Sequence, residues 1–190
     1  MNHSDFNILE SVKKGNFGEE LIIKMFEGSI SYPLIDGDFE VYTHPNSTHL
    51  FDLYCIKKQG KIIEERVEVK TKPKRLYEND TGIDIKYSEN FKDFLKFNID
   101  ILIIFVDQDK KQIYGNYFSK LEKGYSELSD DPNYFKSKFI GIWPKEDGGI
   151  RYWNIAQMIF IRDLTEKEVE ILKQYSTDNY HHEEDDVYGN

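Results

Sequence analysis

The sequence predicts an α/β (α+β) domain, a mixed central sheet flanked by helices, and three observations predict it. A helical apolar stripe opens the chain, three strand-like runs follow it as a meander, and a second helical stretch leads into the most apolar segment, Ile99 to Val106. Elements in that order bury their apolar faces by laying the helices on a sheet. The 190 residues fit one domain, read as residues 1–176 with a core at about 11–118 and C-terminal additions at 119–176. An acidic tail at 177–190 is expected to be mobile.

Glu10 to Glu27 is the first expected helix, because Phe17, Leu21 and Met25 recur every four residues and Ile22 with Phe26 widens the stripe. Gly15 and Gly18 fall in its first half. Each costs a helix about 1 kcal/mol relative to alanine, so they imply either a close backbone approach or a helix that begins near Asn16. Gly28 and Pro33 close the element. Strands are expected at Asp38 to Thr43, Leu50 to Ile56 and Ile62 to Lys72, the last two joined by a turn at Gln59-Gly60. Ser88 is placed to cap a second helix with Phe91, Phe94, Leu95 and Asn98 along one side.

Ile99 to Val106 reads as a central strand, apolar on both faces, and Gln112 to Phe118 as the strand after it. Tyr134 to Trp143 and Ile150 to Trp153 are short strand candidates. Thr165-Glu166-Lys167-Glu168 is a capping box that starts a last helix bearing Val169, Leu172 and Tyr175.

Composition narrows the class. The longest apolar run, Ile101 to Val106, is far short of the roughly 20 residues of a membrane span, and no apolar leader stands at the N-terminus, so a cytoplasmic protein with no membrane partner is expected. Cys55 is the only cysteine, which excludes an internal disulfide and a cysteine-rich zinc site. It reads as a buried strand residue. The net charge of -10 argues against a nucleic-acid partner until its distribution is considered. Asp178, Glu183, Glu184, Asp185 and Asp186 carry five of those ten charges in the tail, whereas Lys57 to Arg75 holds eight basic residues against three acids. That basic strip is either a phosphate-binding surface or a hairpin with solvated lysines.

The candidate chemistry lies in the meander. In a strand Arg66 to Lys72, Val67, Val69 and Thr71 face one way and Glu68, Lys70 and Lys72 the other. A carboxylate and an ammonium two residues apart on one face suit a metal ion and its water. The acidic-x-Lys triplet alone is weak, since Asp84-Ile85-Lys86 and Asp109-Lys110-Lys111 also have it. Asp52 strengthens it: with a hairpin centred on Gly60, paired positions sum to 120 and Asp52 lies across from Glu68. Two adjacent carboxylates repel unless a cation lies between them, and an all-oxygen site suits Mg²⁺, with Mn²⁺ as substitute. Glu19 borders the buried stripe of the first helix, whereas Glu20 faces Lys24 and Glu27 outside it. The same residues admit a plainer account, in which Glu68 and Lys70 form exposed cross-strand ion pairs, Asp52 is a strand-entry residue and Glu19 a helix-terminal charge.

Gly15-Asn16-Phe17-Gly18-Glu19 on a helix, Asp52 at the start of a strand, and Val67-Glu68-Val69-Lys70-Thr71 on the next resemble the motifs of the PD-(D/E)xK, restriction-endonuclease-like superfamily, above all Holliday-junction-resolvase-like bacterial nucleases. The likeness spans about residues 11–106 and departs from the full signature in Phe51, where the proline would stand. It implies an αβββαβ core and a Mg²⁺-dependent endonuclease that hydrolyses DNA phosphodiesters. It further implies that Asp52, Glu68 and the Val69 carbonyl bind the ion, that Lys70 orients the attacking water, and that Glu19 supports the metal shell. Lys72, Lys74, Arg75 and Lys86 are candidate phosphate contacts flanking such a site. A homodimer is expected if both strands are cut symmetrically. The competing functions are a catalytically silent protein of the same fold that binds DNA or a partner, and an acidic DNA mimic.

Overall fold

A computed structural model describes residues 3–43, 51–59, 61–72, 81–129, 150–153 and 155–175. In chain order the elements are α1 (His3–Glu27), β1 (Glu40–Thr43), β2 (Leu53–Gln59), β3 (Lys61–Lys72), β4 (Thr81–Asp84), α2 (Ile85–Leu95), β5 (Leu102–Asp107), β6 (Gln112–Tyr117), α3 (Phe118–Ser129), β7 (Ile150–Trp153), a single 3-10 turn (Ile155–Gln157), β8 (Ile159–Asp163) and α4 (Glu166–Gln174). A six-stranded mixed sheet runs β1-β2-β3-β5-β6-β8, and β4 pairs with β7 in a separate two-stranded sheet. Only the β3–β5 contact in the large sheet is parallel, as it must be when α2 carries the chain across the face between them.

The pleat sorts the core into two layers. Val67 and Val69 of β3 join Leu102, Ile104 and Val106 of β5 against Leu21, Ile22, Met25 and Phe26 of α1 and Val169 and Leu172 of α4. Ile103 and Phe105 point the opposite way, to Phe91 of α2, Phe118 and Leu121 of α3, and Ile83 and Trp153 of the small sheet. All six residues of β5 are consequently buried, which is why that strand has no polar alternation.

Several expected elements stand where the sequence puts them, with shifted ends. Thr165 caps α4 through a full capping box, its hydroxyl accepting from the Glu168 amide and the Glu168 carboxylate accepting from the Thr165 amide. Other expectations require correction. α1 starts at His3, so the late start near Asn16 is wrong. α2 begins at Ile85 with Asp84 as its N-cap residue, and Ser88 sits one turn inside, fully buried, its hydroxyl without a partner among the described residues. β4, α3 and β8 are additional elements, and β8 completes an edge of the main sheet. The expected strand at Tyr134 to Trp143 and the acidic tail fall outside the described residues. Among the described residues, no helix is long and apolar enough to cross a membrane.

Candidate active site

The hairpin pairs Leu53 with Val67 through to Gln59 with Lys61, so paired positions sum to 120. β2 ends its pairing at Leu53, but β3 continues to Lys72, paired among the described residues with β5 alone. Asp52 sits where the β2–β3 pairing ends, next to residues 67–69 of β3. The Asp52 amide donates to the Val67 carbonyl at 3.0 Å, and the Val69 amide donates to Asp52 Oδ2 at 2.7 Å. The carboxylate thus takes up a backbone donor that β2 no longer reaches. A strand residue turns its N–H and C=O to the same side, so the Val69 carbonyl also opens toward Asp52.

Glu68 and Lys70 occupy the face of β3 opposite Val67 and Val69. Glu68 Oε1 lies 2.5 Å from Lys70 Nζ, with 3% of the Glu68 side chain exposed and 29% of that of Lys70. The ammonium also stands over the Tyr87 ring of α2, 5.2 Å from its centroid. Glu19 comes from α1; it is half-buried while Glu20 is exposed, so the helix turns Glu19 inward as its spacing predicts.

These groups act on one another electrostatically. Burial pushes the Glu68 carboxyl up to about 7, and the nearby Asp52 and Glu19 charges add to that push while Lys70 opposes it. Burial raises Asp52 above the usual carboxylate range against the pull of the Val69 amide, Lys70 and a hydrogen bond with Glu68. Glu19 is raised by burial and by Asp52, with Lys70 again opposing. For Lys70, burial works to lower the ammonium, but Glu68, Asp52 and Tyr87 outweigh it and leave it above its ordinary value. Three carboxyls raised chiefly by burial thus stand within electrostatic range of one another and of one lysine.

The donor set Asp52, Glu68, Glu19 and a backbone carbonyl is all oxygen, which fits a hard divalent cation. A bound cation would favour the charged forms that burial disfavours in all three carboxyls, and would offset the smaller repulsion felt by Glu68 and Glu19. Among the described residues, no three Asp, Glu, His or Cys side chains are already drawn together as a ligand cluster. Here the Lys70 ammonium supplies the counter-charge to Glu68.

The four expected phosphate contacts fare differently. Lys72 shares the face of Glu68 and Lys70, but its Nζ donates to the Gly82 carbonyl at 2.9 Å and lies over the Phe105 ring, which ties β3 to β4. Lys86 lies in the first turn of α2, with its side chain outside the described residues. Lys74 and Arg75 lie outside them entirely. Much of the basic strip is engaged by the protein's own acids: Lys57 with Asp36, Lys58 with Glu40 and Arg66 with Glu64. Lys57 and Arg66 are largely covered, whereas Lys58 remains a solvated lysine paired at the surface. Cys55 is buried in β2, where burial pushes its thiol up to about 12.

Sequence reasoning missed Tyr87, the aromatic neighbour of Lys70. Its only signal was its place four residues before Phe91 on the apolar side of α2. Compared with known proteins, the chain matches no family model, no curated protein and no solved structure.

Proposed function

We propose that this protein is a divalent-metal-dependent endonuclease that hydrolyses DNA phosphodiester bonds on a restriction-endonuclease-like framework. One observation carries the reading: the Asp52 carboxylate, held by the Val69 amide just beyond the end of the β2–β3 pairing, lies within the electrostatic field of the Glu68–Lys70 pair, as does a third carboxylate from α1. Asp52, Glu68 and the Val69 carbonyl would hold Mg²⁺ or Mn²⁺, and Glu19 would support that shell. When bound, such an ion polarises the phosphoryl oxygen and lowers the pKa of a bound water.

The chain's own residues account for the remaining work. Lys70 projects its ammonium from the same strand face as Glu68, where it offsets charge building on the phosphate and orients the attacking water. The backbone bond from Val69 fixes the Asp52 carboxylate in rotation. Tyr87 holds the Lys70 ammonium from the α2 side. The parallel β3–β5 pair is compatible with the framework this site would use, whereas β4 inserts a fourth strand before α2, so the order is αββββαβ rather than the expected αβββαβ.

The test is cleavage of supercoiled, linear, branched and single-stranded DNA with Mg²⁺ or Mn²⁺, then with EDTA. Wild type is expected to cut one or more of these only with metal. Asp52→Asn and Lys70→Met are expected to lose on the order of 10²- to 10³-fold or more of that rate. Metal-independent cutting, or undiminished cutting by both variants, overturns the assignment.

A second reading, a non-catalytic DNA- or partner-binding protein on the same framework, is favoured by the absence of a preassembled ligand cluster among the described residues. It predicts binding to DNA or protein with no cleavage under any metal.

A further inference from the structure

α1 and β3 meet at one unusually close point. A Cβ placed on Gly18 would overlap the Thr71 hydroxyl oxygen and stand 3.2 Å from Thr71 Cβ and 3.6 Å from its Cγ2. The Thr71 hydroxyl is buried and finds no hydrogen-bond partner among the described residues. Gly15, one turn earlier in the helix, differs: a Cβ there would meet nothing within 4 Å.

Glycine weakens a helix interior, and a buried unpartnered hydroxyl weakens a core. Here the two face each other. Thr71 lies on the face of β3 that carries Val67 and Val69 toward α1, and only a residue without Cβ lets the helix backbone settle onto it. The approach brings a glycine Cα–H against the hydroxyl oxygen, a weak contact that recurs where backbones pack closely. Each partner also stands next to a group of the candidate site in sequence: Gly18 precedes Glu19, and Thr71 follows Lys70.

We propose that Gly18 and Thr71 form a steric lock that sets the height of α1 over β3 and thereby positions the Glu19 carboxylate against Asp52, Glu68 and Lys70. Gly18 and Thr71 are positioning residues, acting through Glu19 and Lys70. This rests on the metal-site reading only for its consequence in ion binding. The close approach itself is independent of that reading.

Gly18→Ala lifts the helix at this point, and Gly18→Ala/Thr71→Ala removes the hydroxyl that the new methyl would strike. The experiment measures thermal unfolding and Mn²⁺ affinity by calorimetry for wild type, Gly18→Ala, Thr71→Ala, the double variant and Gly15→Ala. Gly18→Ala is expected to lower the melting temperature and to weaken Mn²⁺ binding by about 10- to 100-fold, the usual range for residues that orient metal ligands. The double variant is expected to regain much of both losses, and Gly15→Ala to lose neither. If Gly18→Ala does not fold, recovery of a folded, ion-binding double variant makes the same point.

Strictly additive effects of the two substitutions on melting temperature overturn the lock. So does a Gly18→Ala protein that melts lower but binds Mn²⁺ as wild type does. A wild type that binds no divalent ion overturns the metal reading instead. In that case the positioning claim is decided by crystal structures of the variants, in which Gly18→Ala must displace the Glu19 carboxylate relative to Asp52 and Lys70 and the double variant must restore it.

Discussion

At Glu68, burial and two neighbouring carboxylates push the carboxyl up to about 7 from an ordinary 4.5, while Lys70 pulls the other way. The folded protein therefore holds a proton that the unfolded chain has already released between those two pH values. Stability falls as pH rises through that interval and levels off above it. Glu68→Gln removes this slope, so urea unfolding should show the variant gaining on wild type from pH 5 to pH 8, by on the order of 1–3 kcal/mol.

Lys70→Met does the reverse. It strips the counter-charge from a carboxylate that is 3% exposed, so it should destabilise the protein at pH 8 and much less at pH 5, where Glu68 carries a proton. Parallel urea titrations at the two pH values measure the difference. A bound cation competes with the Glu68 proton, so the apparent Mg²⁺ affinity should rise from pH 6 to pH 8.

Among the elements, the capping box of α4 and the anchor of the small sheet lend themselves to separate tests. Thr165→Ala removes the acceptor for the Glu168 amide and should cost about 1 kcal/mol, read as a lower urea midpoint at unchanged slope. The Glu122 carboxylate of α3 accepts from Arg151 Nε at 2.5 Å, from Arg151 Nη2 at 2.7 Å and from Trp153 Nε1 at 3.1 Å, which fastens β7 to the helix layer. Glu122→Ala leaves the Arg151 guanidinium without that carboxylate and should cost more than Thr165→Ala in the same assay.

What the sequence made legible follows the same divide. α1, the hairpin and α4 were readable because periodicity, a central Gly60 and a capping box are local signals. The facing of Glu19 and the register of the hairpin came from them, but the expected pairing of Asp52 with Glu68 did not form, because β2 begins one residue later, at Leu53. β4 was not, because its burial depends on β7, almost seventy residues later, and its four residues include Gly82. β8 has two exposed apolar residues, Ile159 and Phe160, so it lacked the alternation that marks a half-buried strand. The basic strip misled in charge, because Asp36 and Glu40, which engage Lys57 and Lys58, lie outside it in the sequence.

Over the whole molecule, two helix layers enclose one mixed sheet, and the candidate site lies where β3 runs on past the end of its pairing with β2. Groups from both layers act there: Glu19 from the α1 side and Tyr87 from the α2 side. The fold thereby concentrates three carboxyls and one lysine, at a cost in stability that ion binding would offset. The most direct measurement is a calorimetric titration of the full chain with Mn²⁺ and Mg²⁺ at pH 8, alongside Asp52→Asn. The account predicts saturable binding by wild type and its loss or strong weakening in Asp52→Asn, with the variant still folded. No heat of binding from a folded wild type, or equal binding by the variant, would contradict it.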